Sequence, residues 1–482
     1  MTVMQAPAYR RAEYHGFAAG GSDFVYLVSA GAIFEIDAQV QAVLDRLDGQ
    51  ELSHAALVRE LAGEEGDLAE AEALVRELRA VQLIHLGAAP VSVPEAPPAD
   101  FPLQALVLNI TNQCNLACTY CYEFGADKIA TPTGKPKYMT LETAKASVDL
   151  LIAEAAHRPS VHITFFGGET LMNFKLLRDV VDYANGATAA AGKGITYSLT
   201  TNATLLTPEI VTFLSDNRVG VTVSMDGPPE LQDKHRVYKN GNGSYAVIEP
   251  RLRTLIAHHR TRAVTARVTL TEGVTDVVRI FRHLKDDLGF HEVGFAPVTT
   301  GETRAYSIDA DGMDSILAQF NLLAREWLEY ALRGQVHGFT NVSETISELI
   351  SGVNKSHPCG AGMGLMGVSP SGDLSPCHRF TDADTHVMGH VSSGIDRAKQ
   401  GDFLSRGHVG AKYDCQSCWA RPLCAGGCHH EAFVRYGDTG HANLHYCDWI
   451  RQWTDTCLHI YGELAVKNPG FLEHFAERKG LS

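Results

Sequence analysis

The stretch NQCNLACTYCYE, residues 112–123, places Cys114, Cys118 and Cys121 close together with the spacing C-x3-C-x2-C. Three thiolates can hold three irons of a cubane 4Fe–4S cluster and leave the fourth iron without a protein ligand. A small molecule can chelate such an open iron, so this stretch is a candidate metal centre with a vacancy for a ligand. The alternative is a zinc site that takes its fourth ligand from elsewhere in the chain.

Polar residues and glycines follow the next strand candidates, in the stretches FFGGE, SLTTN and SMDGPPELQDKHR. Glycines permit a close approach of backbone, a glutamate can accept from an ammonium group, and an arginine fork matches a carboxylate. These stretches supply the candidate cofactor-binding residues Gly167, Gly168, Glu169, Thr200, Asn202, Ser224 and Arg236.

A second field of cysteines lies near the C-terminus. Cys359 is followed by Gly372-x4-Cys377, then by C-x2-C-x5-C-x3-C and by one more cysteine. The candidate metal ligands of this field are Cys359, Cys377, Cys415, Cys418, Cys424, Cys428 and Cys447. Two zinc sites of four thiolates each are the alternative to iron–sulfur clusters here.

The elements that must position these residues alternate between strands and helices from about 103 to 300. The strand candidates are residues 105–110, 161–166, 195–201, 219–225, 266–270 and 293–298, and helical patterns such as 141–157 fall between them. Continuous apolar strands separated by helices predict a parallel sheet covered by helices. We expect a partial (β/α)6 barrel, whose loops after the strand ends carry the chemistry.

Residues 1–87 are predicted to form a small separate module. Strands 24–28 and 32–36 form a hairpin around Gly31, helices begin at the caps Asp37 and Ser53, and residues 82–86 form a closing strand. This pattern predicts a winged-helix-like domain whose hairpin edge can accept a strand of a peptide. A proline-rich linker at 88–102, a helical bridge at 301–356 and a cysteine-rich domain with a terminal helix at 357–482 complete the predicted organisation.

Composition restricts the class of protein. The 482 residues are 45% hydrophobic and 20% charged, as in soluble globular proteins, and the net charge of −15 disfavours a nucleic-acid partner. The N-terminus lacks the apolar core of a signal peptide and no apolar run reaches the length of a membrane span, so we expect a cytoplasmic protein with no membrane partner. In that reducing compartment, eleven cysteines indicate metal or redox chemistry instead of disulfides.

The first cysteine triplet, together with FFGGE, resembles the radical S-adenosylmethionine (SAM) superfamily, and the second field resembles the SPASM domain. The resemblance implies a SAM-binding cluster on the triplet, with SAM on the open iron, and two auxiliary 4Fe–4S clusters. It also implies that Cys415, Cys418, Cys424 and Cys447 hold one auxiliary cluster, and that Cys359, Cys377 and Cys428 hold the other. The missing ligand of the latter is open: Cys457, one of His357, His378 and His429, or a substrate thiolate.

The chain resembles most closely the maturation proteins of quinohemoprotein amine dehydrogenase, in phrases such as NITNQCNLACTYCYEFGADKI, HITFFGGETLMNF and CWARPLCAGGC. This resemblance implies thioether bonds from cysteine sulfur to Asp or Glu methylene carbons in the small γ subunit of the dehydrogenase, a Cys-rich substrate with a leader segment. It also implies an electron donor such as flavodoxin or ferredoxin. A carboxylate must accept the thiol proton, and Asp233 and Asp226, after the fourth barrel strand, are the candidate bases.

Two other functions remain open at this point. A sulfatase-type maturase would use the same clusters to oxidise one Cys or Ser to formylglycine, but it would not need the N-terminal module. An iron–sulfur or zinc scaffold would bind a peptide without chemistry. Iron content and SAM cleavage distinguish the scaffold from the two enzymes.

Overall fold

The computed structural model describes residues 8–63, 67–87, 95, 101–130, 134–301 and 304–479. Most of the predicted linker at 88–102 lies outside these residues. The N-terminal part consists of short strands and helices: β1 (Ala8–Arg11), β2 (Tyr14–Ala19), β3 (Ser22–Leu27), β4 (Ala32–Ile36), α1 (Ala38–Arg46), β5 (Leu52–Ser53), α2 (His54–Ala62), α3 (Leu68–Ala80) and β6 (Ile84–Leu86).

The helix caps and the hairpin predicted for the N-terminal part are confirmed. Asp37 and Ser53 each accept a hydrogen bond from the backbone amide three residues on, at 2.8 and 3.2 Å, and so begin α1 and α2. The predicted hairpin is the antiparallel pair β3–β4. Two further strands, β1 and β2, were not predicted, because their sequences AYRR and YHGFAA carry no apolar run. They build two three-stranded sheets, in the orders β2-β3-β4 and β5-β1-β6.

The central part alternates strands with helices, as predicted. Its elements are β7 (Ala105–Thr111), α4 (Leu141–Glu154), β8 (Ser160–Gly167), α5 (Phe174–Ala190), β9 (Gly194–Thr201), α6 (Pro208–Asp216), β10 (Gly220–Ser224), α7 (Pro229–His235), α8 (Tyr245–His258), β11 (Val264–Leu270), α9 (Val277–Arg282) and β12 (Glu292–Pro297). Strands β7 to β12 pair in parallel and in chain order, which confirms the six-stranded parallel sheet.

The two faces of this sheet differ in polarity. In β11 the even-numbered residues 264–270 are buried and apolar, whereas Thr265, Arg267 and Thr269 lie on the opposite face and are accessible. Strand β9 alternates in the same way, with Ser198 and Thr200 on the accessible face. A period of two places the apolar side chains beneath the helices and lines the other face with polar groups. We call that polar face the lumen.

The C-terminal part contains α10 (Ala310–Leu332), α11 (Thr340–Ile350), β13 (Leu365–Val368), β14 (Leu374–Ser375), β15 (Gly389–His390), β16 (Gly394–Ile395), α12 (Arg397–Gly407), α13 (Arg421–Cys424), α14 (His429–Tyr436), α15 (Cys447–Lys467) and α16 (Pro469–Lys479). Strand β13 pairs in parallel with β7, so the cysteine-rich segment extends the barrel sheet to eight strands. This extension was not predicted. Of the helices in the described part of the chain, none is both long and apolar enough to cross a membrane.

The N-terminal sheet β2-β3-β4 packs on the terminal helix α15. Phe17 and Phe24 belong to the same apolar core as the barrel, whereas Val25 and Leu27 face the helices α1 to α3. A hydrogen bond of 2.7 Å joins His15 Nε2 and Asp455 Oδ1. The N-terminal unit therefore shares a core with the rest of the chain, and its removal would expose apolar surface.

Gly462 of α15 tests this packing, because a Cβ atom there would lie 2.8 Å from the Cβ of Ala19 and 3.1 Å from the ring of Phe17. We expect Gly462→Val to lower the free energy of unfolding by about 1–3 kcal/mol through overpacking. Anaerobic denaturant unfolding measures this change. Gly470→Ala in α16, where a Cβ meets nothing within 4 Å, is the matched control. Equal stability of the two variants would contradict a shared core.

Candidate active site

The cysteine loop begins directly after β7, at the edge where the barrel strands end. Backbone amides of the loop donate to the carbonyl oxygens of His235 and Val237 at 3.2 and 2.8 Å, so the loop rests on the segment that follows β10. Cys114, Cys118 and Cys121 are all partly buried. The structure therefore places the predicted triplet at the end of the lumen.

The three thiols act on one another electrostatically. Burial raises the pKa of Cys114 to about 12 and that of Cys121 to about 11, and neighbouring thiols of the triplet add to each rise. Burial also raises the pKa of Cys118. These thiols keep their protons at neutral pH until a cation replaces them. Three clustered, partly buried thiols fit the donor set of a 4Fe–4S cluster with one open iron.

The glycine turn after β8 packs against the backbone of the cysteine loop. The Gly168 amide donates to Thr111 O at 3.0 Å, and the Glu169 amide donates to Gln113 O at 2.8 Å. A Cβ atom would lie 2.3 Å from Thr111 O at Gly167, where φ is +127°, and 2.4 Å from Gln113 O at Gly168. Both positions therefore require glycine, and the turn fixes the loop beside the end of β8.

The Glu169 carboxylate is almost fully buried and holds the glycine turn to the end of β9. Its Oε1 accepts from Thr201 Oγ1 at 2.6 Å and from Leu171 N at 3.0 Å, and its Oε2 accepts from Asn202 N at 2.7 Å. Burial raises the pKa of this carboxyl group. Because a carboxylate oxygen can accept more than one hydrogen bond, Oε2 retains capacity for the ammonium group that the resemblance implies.

The remaining candidate SAM contacts lie around the same strand ends. Asn202 Nδ2 is 3.9 Å from Cys114 Sγ and donates to Asn115 Oδ1 at 3.0 Å. Thr200 and Ser224 lie on the lumen face at the ends of β9 and β10. The structure thus brings these three residues to the end of the lumen, where the triplet lies. Their roles toward SAM stay predictions.

Asp226 and Arg236 form a buried ion pair behind the triplet. Arg236 Nε donates to Asp226 Oδ2 at 3.0 Å, and Arg236 Nη1 lies 3.9 Å from Cys118 Sγ. The Tyr120 hydroxyl also donates to Asp226 Oδ2, and Thr269 N donates to Oδ1 at 3.0 Å. Both oxygens of Asp226 are therefore engaged in positioning Arg236, the cysteine loop and β11.

The second candidate base, Asp233, is bound to backbone at the start of α8. Its Oδ1 accepts from Ser244 N at 2.7 Å and from Tyr245 N at 2.9 Å. Asp233 itself lies in α7, and its carboxylate accepts from the first amides of α8 from outside that helix. Its Oδ2 takes no part in these two bonds, and a catalytic role for Asp233 stays a prediction.

A third carboxylate, Glu123, was not singled out from the sequence. It follows Tyr122 in the cysteine loop, and Asn109 Nδ2 lies 3.4 Å from its Oε1. Burial and the nearby Asp382 raise the pKa of Glu123 to about 8, so it carries a proton near neutral pH. The signal for it was weak, because Asp382 is far away in the sequence and only folding makes the two carboxylates neighbours.

The second cysteine field forms two groups. Burial raises the pKa of Cys377 to about 12, and Cys428 and Cys359 add to the rise. Burial also raises the pKa of Cys415 to about 12, and the thiols that add to it are Cys424, Cys418 and Cys447. The neighbours in the structure are therefore the same sets of three and four cysteines that the resemblance implies.

A buried lysine lies between the two groups. The Lys412 ammonium donates to Ala425 O at 3.2 Å, and burial lowers its pKa against the opposing effect of cysteines from both groups. A Cβ at Gly426 would lie 2.5 Å from the Lys412 side chain, so glycine makes room for it. This cation compensates part of the negative charge that two sets of thiolates bring together.

Cys457 is not near either group. It is fully buried in the apolar core on α15, where Thr345 is its hydrogen-bonding neighbour. This placement corrects the suggestion that it could be the missing ligand and confirms the alternative of a core cysteine.

Of the three candidate histidines, His357 uses both ring nitrogens in hydrogen bonds, with Leu404 O at 2.8 Å and with Ser356 Oγ at 3.0 Å.

The other two histidines are neutral at pH 7. Burial lowers the pKa of His378 to about 3 and that of His429 to about 4. His429 Nδ1 lies 3.1 Å from Thr439 O. Within the described ranges, no three His, Cys, Asp or Glu side chains are placed to hold a single metal ion. The missing ligand of the three-cysteine group stays open.

Residues 108–284 match the Radical SAM superfamily. The chain therefore contains a radical SAM domain, and the cysteine triplet and the glycine turn lie inside it. An uncharacterized protein of Methanocaldococcus jannaschii is 36% identical over 142 residues, which are 30% of this chain and 45% of that protein, so this chain spans less than half of it. The serine-type anaerobic sulfatase-maturating enzyme of Bacteroides thetaiotaomicron is 26% identical over 376 residues, covering 72% of this chain and 86% of the relative.

Solved structures share the fold. Native anSMEcpe with bound AdoMet and Cp18Cys peptide aligns with a TM-score of 0.62 and 19% identity, over 78% of this chain and 99% of that one. Streptococcus suis SuiB bound to precursor peptide SuiA aligns with a TM-score of 0.51 and 14% identity, over 91% and 99% of the two chains. The chain thus shares the fold of these structures, contains a radical SAM domain at residues 108–284, and is similar in sequence to anaerobic sulfatase-maturating enzymes.

Substitutions of the two candidate bases, Asp226 and Asp233, test whether Asp226 has a positioning role. Asp226→Asn leaves the Arg236 charge buried without its partner, so we expect a loss of about 3 kcal/mol in the free energy of unfolding. Asp233→Asn keeps a side-chain oxygen that can accept from the amides of Ser244 and Tyr245, so it is the matched control and should cost less than about 1 kcal/mol. Anaerobic denaturant unfolding of the two variants measures this. An Asp226→Asn variant that is as stable as the wild type would argue against a positioning role.

Proposed function

We propose that this chain is a radical SAM maturase that forms thioether bonds within a peptide, from cysteine sulfur to a side-chain methylene of Asp or Glu. The substrate we propose is the small Cys-rich γ subunit of quinohemoprotein amine dehydrogenase. The observation that carries the proposal is that the two cysteine fields adjoin, through a contact between residues next to Cys377 and next to Cys121. Arg379, two residues after Cys377, lies with its guanidinium 4.8 Å from the ring centre of Tyr122, the neighbour of Cys121.

Thioether formation requires the two cysteine fields to lie close together. Forming one carbon–sulfur bond removes a hydrogen atom from the methylene carbon, a proton from the thiol and one surplus electron. With SAM and clusters bound, the site supplies a 5′-deoxyadenosyl radical and carriers for electrons. The chain's residues hold the reactants: the triplet with Asn202 and Glu169 on the SAM side, and the groups around Cys377 and Cys415 on the other. A carboxylate at the end of the lumen accepts the proton, with Asp233 as the candidate.

We further propose that the N-terminal unit recognises a leader segment of the substrate. Strand β4 is an edge of the sheet β2-β3-β4, and an exposed edge can pair with an added strand. The turn before β4 is fixed to the rest of the chain, because Asn354 Nδ2 donates to Ser29 O at 2.7 Å. A peptide on this edge would be tied to the body that contains the lumen. The coverage of 91% against SuiB with its precursor peptide agrees with this proposal.

A sulfatase-type reaction is the second candidate, because the sulfatase-maturating enzyme of Bacteroides thetaiotaomicron aligns with 72% of this chain. Both candidates need the radical SAM domain and a peptide substrate. They differ in product: a thioether joins two residues, whereas formylglycine formation changes one.

Anaerobic co-expression with the γ subunit, followed by mass spectrometry of that subunit, tests the proposal. We expect a loss of two hydrogens for each crosslinked cysteine, with fragmentation blocked between the joined residues. The same experiment with Cys121→Ala is the control and should leave the mass unchanged. Conversion of a cysteine to an aldehyde would support the sulfatase-type reaction instead, and an unmodified subunit would contradict both.

The cysteine assignments predict the iron content. Cys121→Ala and Cys377→Ala should each remove one cluster, about four irons per chain, and Cys121→Ala should also abolish SAM cleavage. Cys457→Ala is the matched control, because this thiol lies in the core, and it should keep the iron of the wild type. Iron analysis after anaerobic purification measures all three. Iron loss in Cys457→Ala equal to that in Cys377→Ala would contradict its assignment to the core.

A further inference from the structure

The N-terminal unit, which comprises β1 to β6, contacts the loop that carries three thiols of one cysteine group. This group, the four-cysteine group, consists of Cys415, Cys418, Cys424 and Cys447. We call residues 415–424 the ligand loop. Two residues of the ligand loop, Trp419 and Arg421, lie against the beginning of β2 and the residue before it, and the contact of Arg421 joins residues 408 positions apart. Folding therefore brings the N-terminal unit to the four-cysteine group.

Glu13, the residue before β2, forms a bidentate ion pair with Arg421. Arg421 Nη1 donates to Glu13 Oε1 at 2.8 Å, and Arg421 Nη2 donates to Oε2 at 2.5 Å. Arg421 Nη1 also donates to Cys418 O at 3.0 Å. The Arg421 side chain is only 5% exposed, and a buried cation is costly unless an anion lies against it. Two parallel hydrogen bonds fix a guanidinium in position, so Glu13 holds Arg421 and Arg421 holds the backbone at Cys418.

His15 of β2 makes a second contact with the ligand loop. Its ring stacks on Trp419, with the ring centres 3.7 Å apart and the planes 6° from parallel. Its Nε2 lies 2.7 Å from Asp455 Oδ1 on α15. The ring is therefore held between the ligand loop and the terminal helix, and it fixes Trp419, the residue directly after Cys418.

The terminal helix joins the same elements. Cys447, Arg451 and Asp455 are spaced by four residues, so they lie along one face of α15. Burial would lower the pKa of Arg451, but hydrogen bonds to a neighbouring carboxylate and to Cys418 raise it. One helix face thus carries a thiol of the four-cysteine group, a donor to a second thiol, and the carboxylate that binds the N-terminal unit.

The turn between β3 and β4 makes a third contact. A Cβ at Gly31, whose φ is +65°, would lie 2.4 Å from Val353 O, so the turn packs directly on that carbonyl group. Two residues further along the chain, Lys355 N donates to Pro422 O, inside the ligand loop, at 2.9 Å. The N-terminal unit therefore acts on the ligand loop at three residues that lie between its second and third thiols.

We propose that the N-terminal unit is part of the iron–sulfur site of the four-cysteine group, with Glu13 as a positioning residue that acts through Arg421. This role goes beyond the proposed function, since it does not depend on which peptide is modified. A cluster gains negative charge when it is reduced, and the charges and hydrogen bonds around its sulfurs set its reduction potential. The Glu13 carboxylate compensates the charge of Arg421 and so disfavours the reduced cluster.

A redox titration followed by electron paramagnetic resonance tests the contribution of the Glu13 charge. We expect Glu13→Gln to raise the reduction potential of the cluster, because the reduced form no longer faces that carboxylate. Glu51→Gln is the matched control: it makes the same change of charge in the same unit, but at a surface ion pair with Arg10, and should keep the wild-type potential. A potential of Glu13→Gln equal to that of Glu51→Gln would overturn the proposal.

The titration uses the full-length protein with Cys121→Ala and Cys377→Ala, so that the four-cysteine group is the remaining cluster site. The same titration of the protein with all its cysteines should show one reduction step moved by Glu13→Gln and the other steps unchanged. A shift of every step would indicate a general loss of structure and overturn the proposal.

Iron content tests the positioning role of Glu13. Glu13→Ala removes both acceptors of Arg421, so we expect it to lose about four irons per chain, whereas Glu13→Gln keeps one oxygen acceptor and should keep its iron. Iron retained in Glu13→Ala would contradict the positioning role.

Gly462→Val is the control for the iron measurement, because it disturbs the packing of the same unit at Phe17 and Ala19 and leaves the ion pair of Glu13 intact. It should keep its iron despite its lower stability. Iron loss in Gly462→Val equal to that in Glu13→Ala would assign the effect to the docking of the whole unit and overturn the role of Glu13. Because no peptide takes part, failure of the proposed function would leave these results unchanged.

Discussion

The buried ion pair of Asp226 and Arg236 is the interaction on which the site depends. Asp226 joins three elements that are separate in the sequence: the cysteine loop through Tyr120, β11 through Thr269 N, and the segment after α7 through Arg236. A buried pair of this kind adds little net stability, but the loss of one partner is expensive. Its consequence is therefore geometric, because it fixes the triplet relative to the fourth and fifth barrel strands.

The distribution of charge around the cysteines follows from the need to compensate buried charge, as in the ion pair of Asp226 and Arg236. The chain carries an excess of acidic residues, yet Arg236, Arg379 and Lys412 lie near the cysteines. Thiolates, SAM and an acidic peptide are all anionic or carry a carboxylate, and buried anions need nearby cations. The surroundings of the cysteines therefore carry positive charge, although the chain as a whole is acidic.

The sequence predicted the features that depend on local spacing. The cysteine triplet, the six parallel strands and the caps Asp37 and Ser53 each have a signal within a few residues, and the structure has them. The pairing of β13 with β7 could not be predicted, since LMGV is too short to have a period and its partner is about 260 residues away. Glu123 was missed for the same reason, because its environment is made by distant segments. Asp226 was predicted as a base, but only the structure shows that both its oxygens are engaged.

The central claim is that hydrogen is taken from the methylene of an acidic residue held in the lumen. The most direct measurement is the fate of deuterium placed on that methylene in the γ subunit peptide, followed by mass spectrometry of the 5′-deoxyadenosine formed with the reduced, cluster-loaded protein. The account predicts that one deuterium appears in 5′-deoxyadenosine for each thioether formed. Product without deuterium in 5′-deoxyadenosine, or deuterium transferred only when the cysteine methylene is labelled, would contradict it.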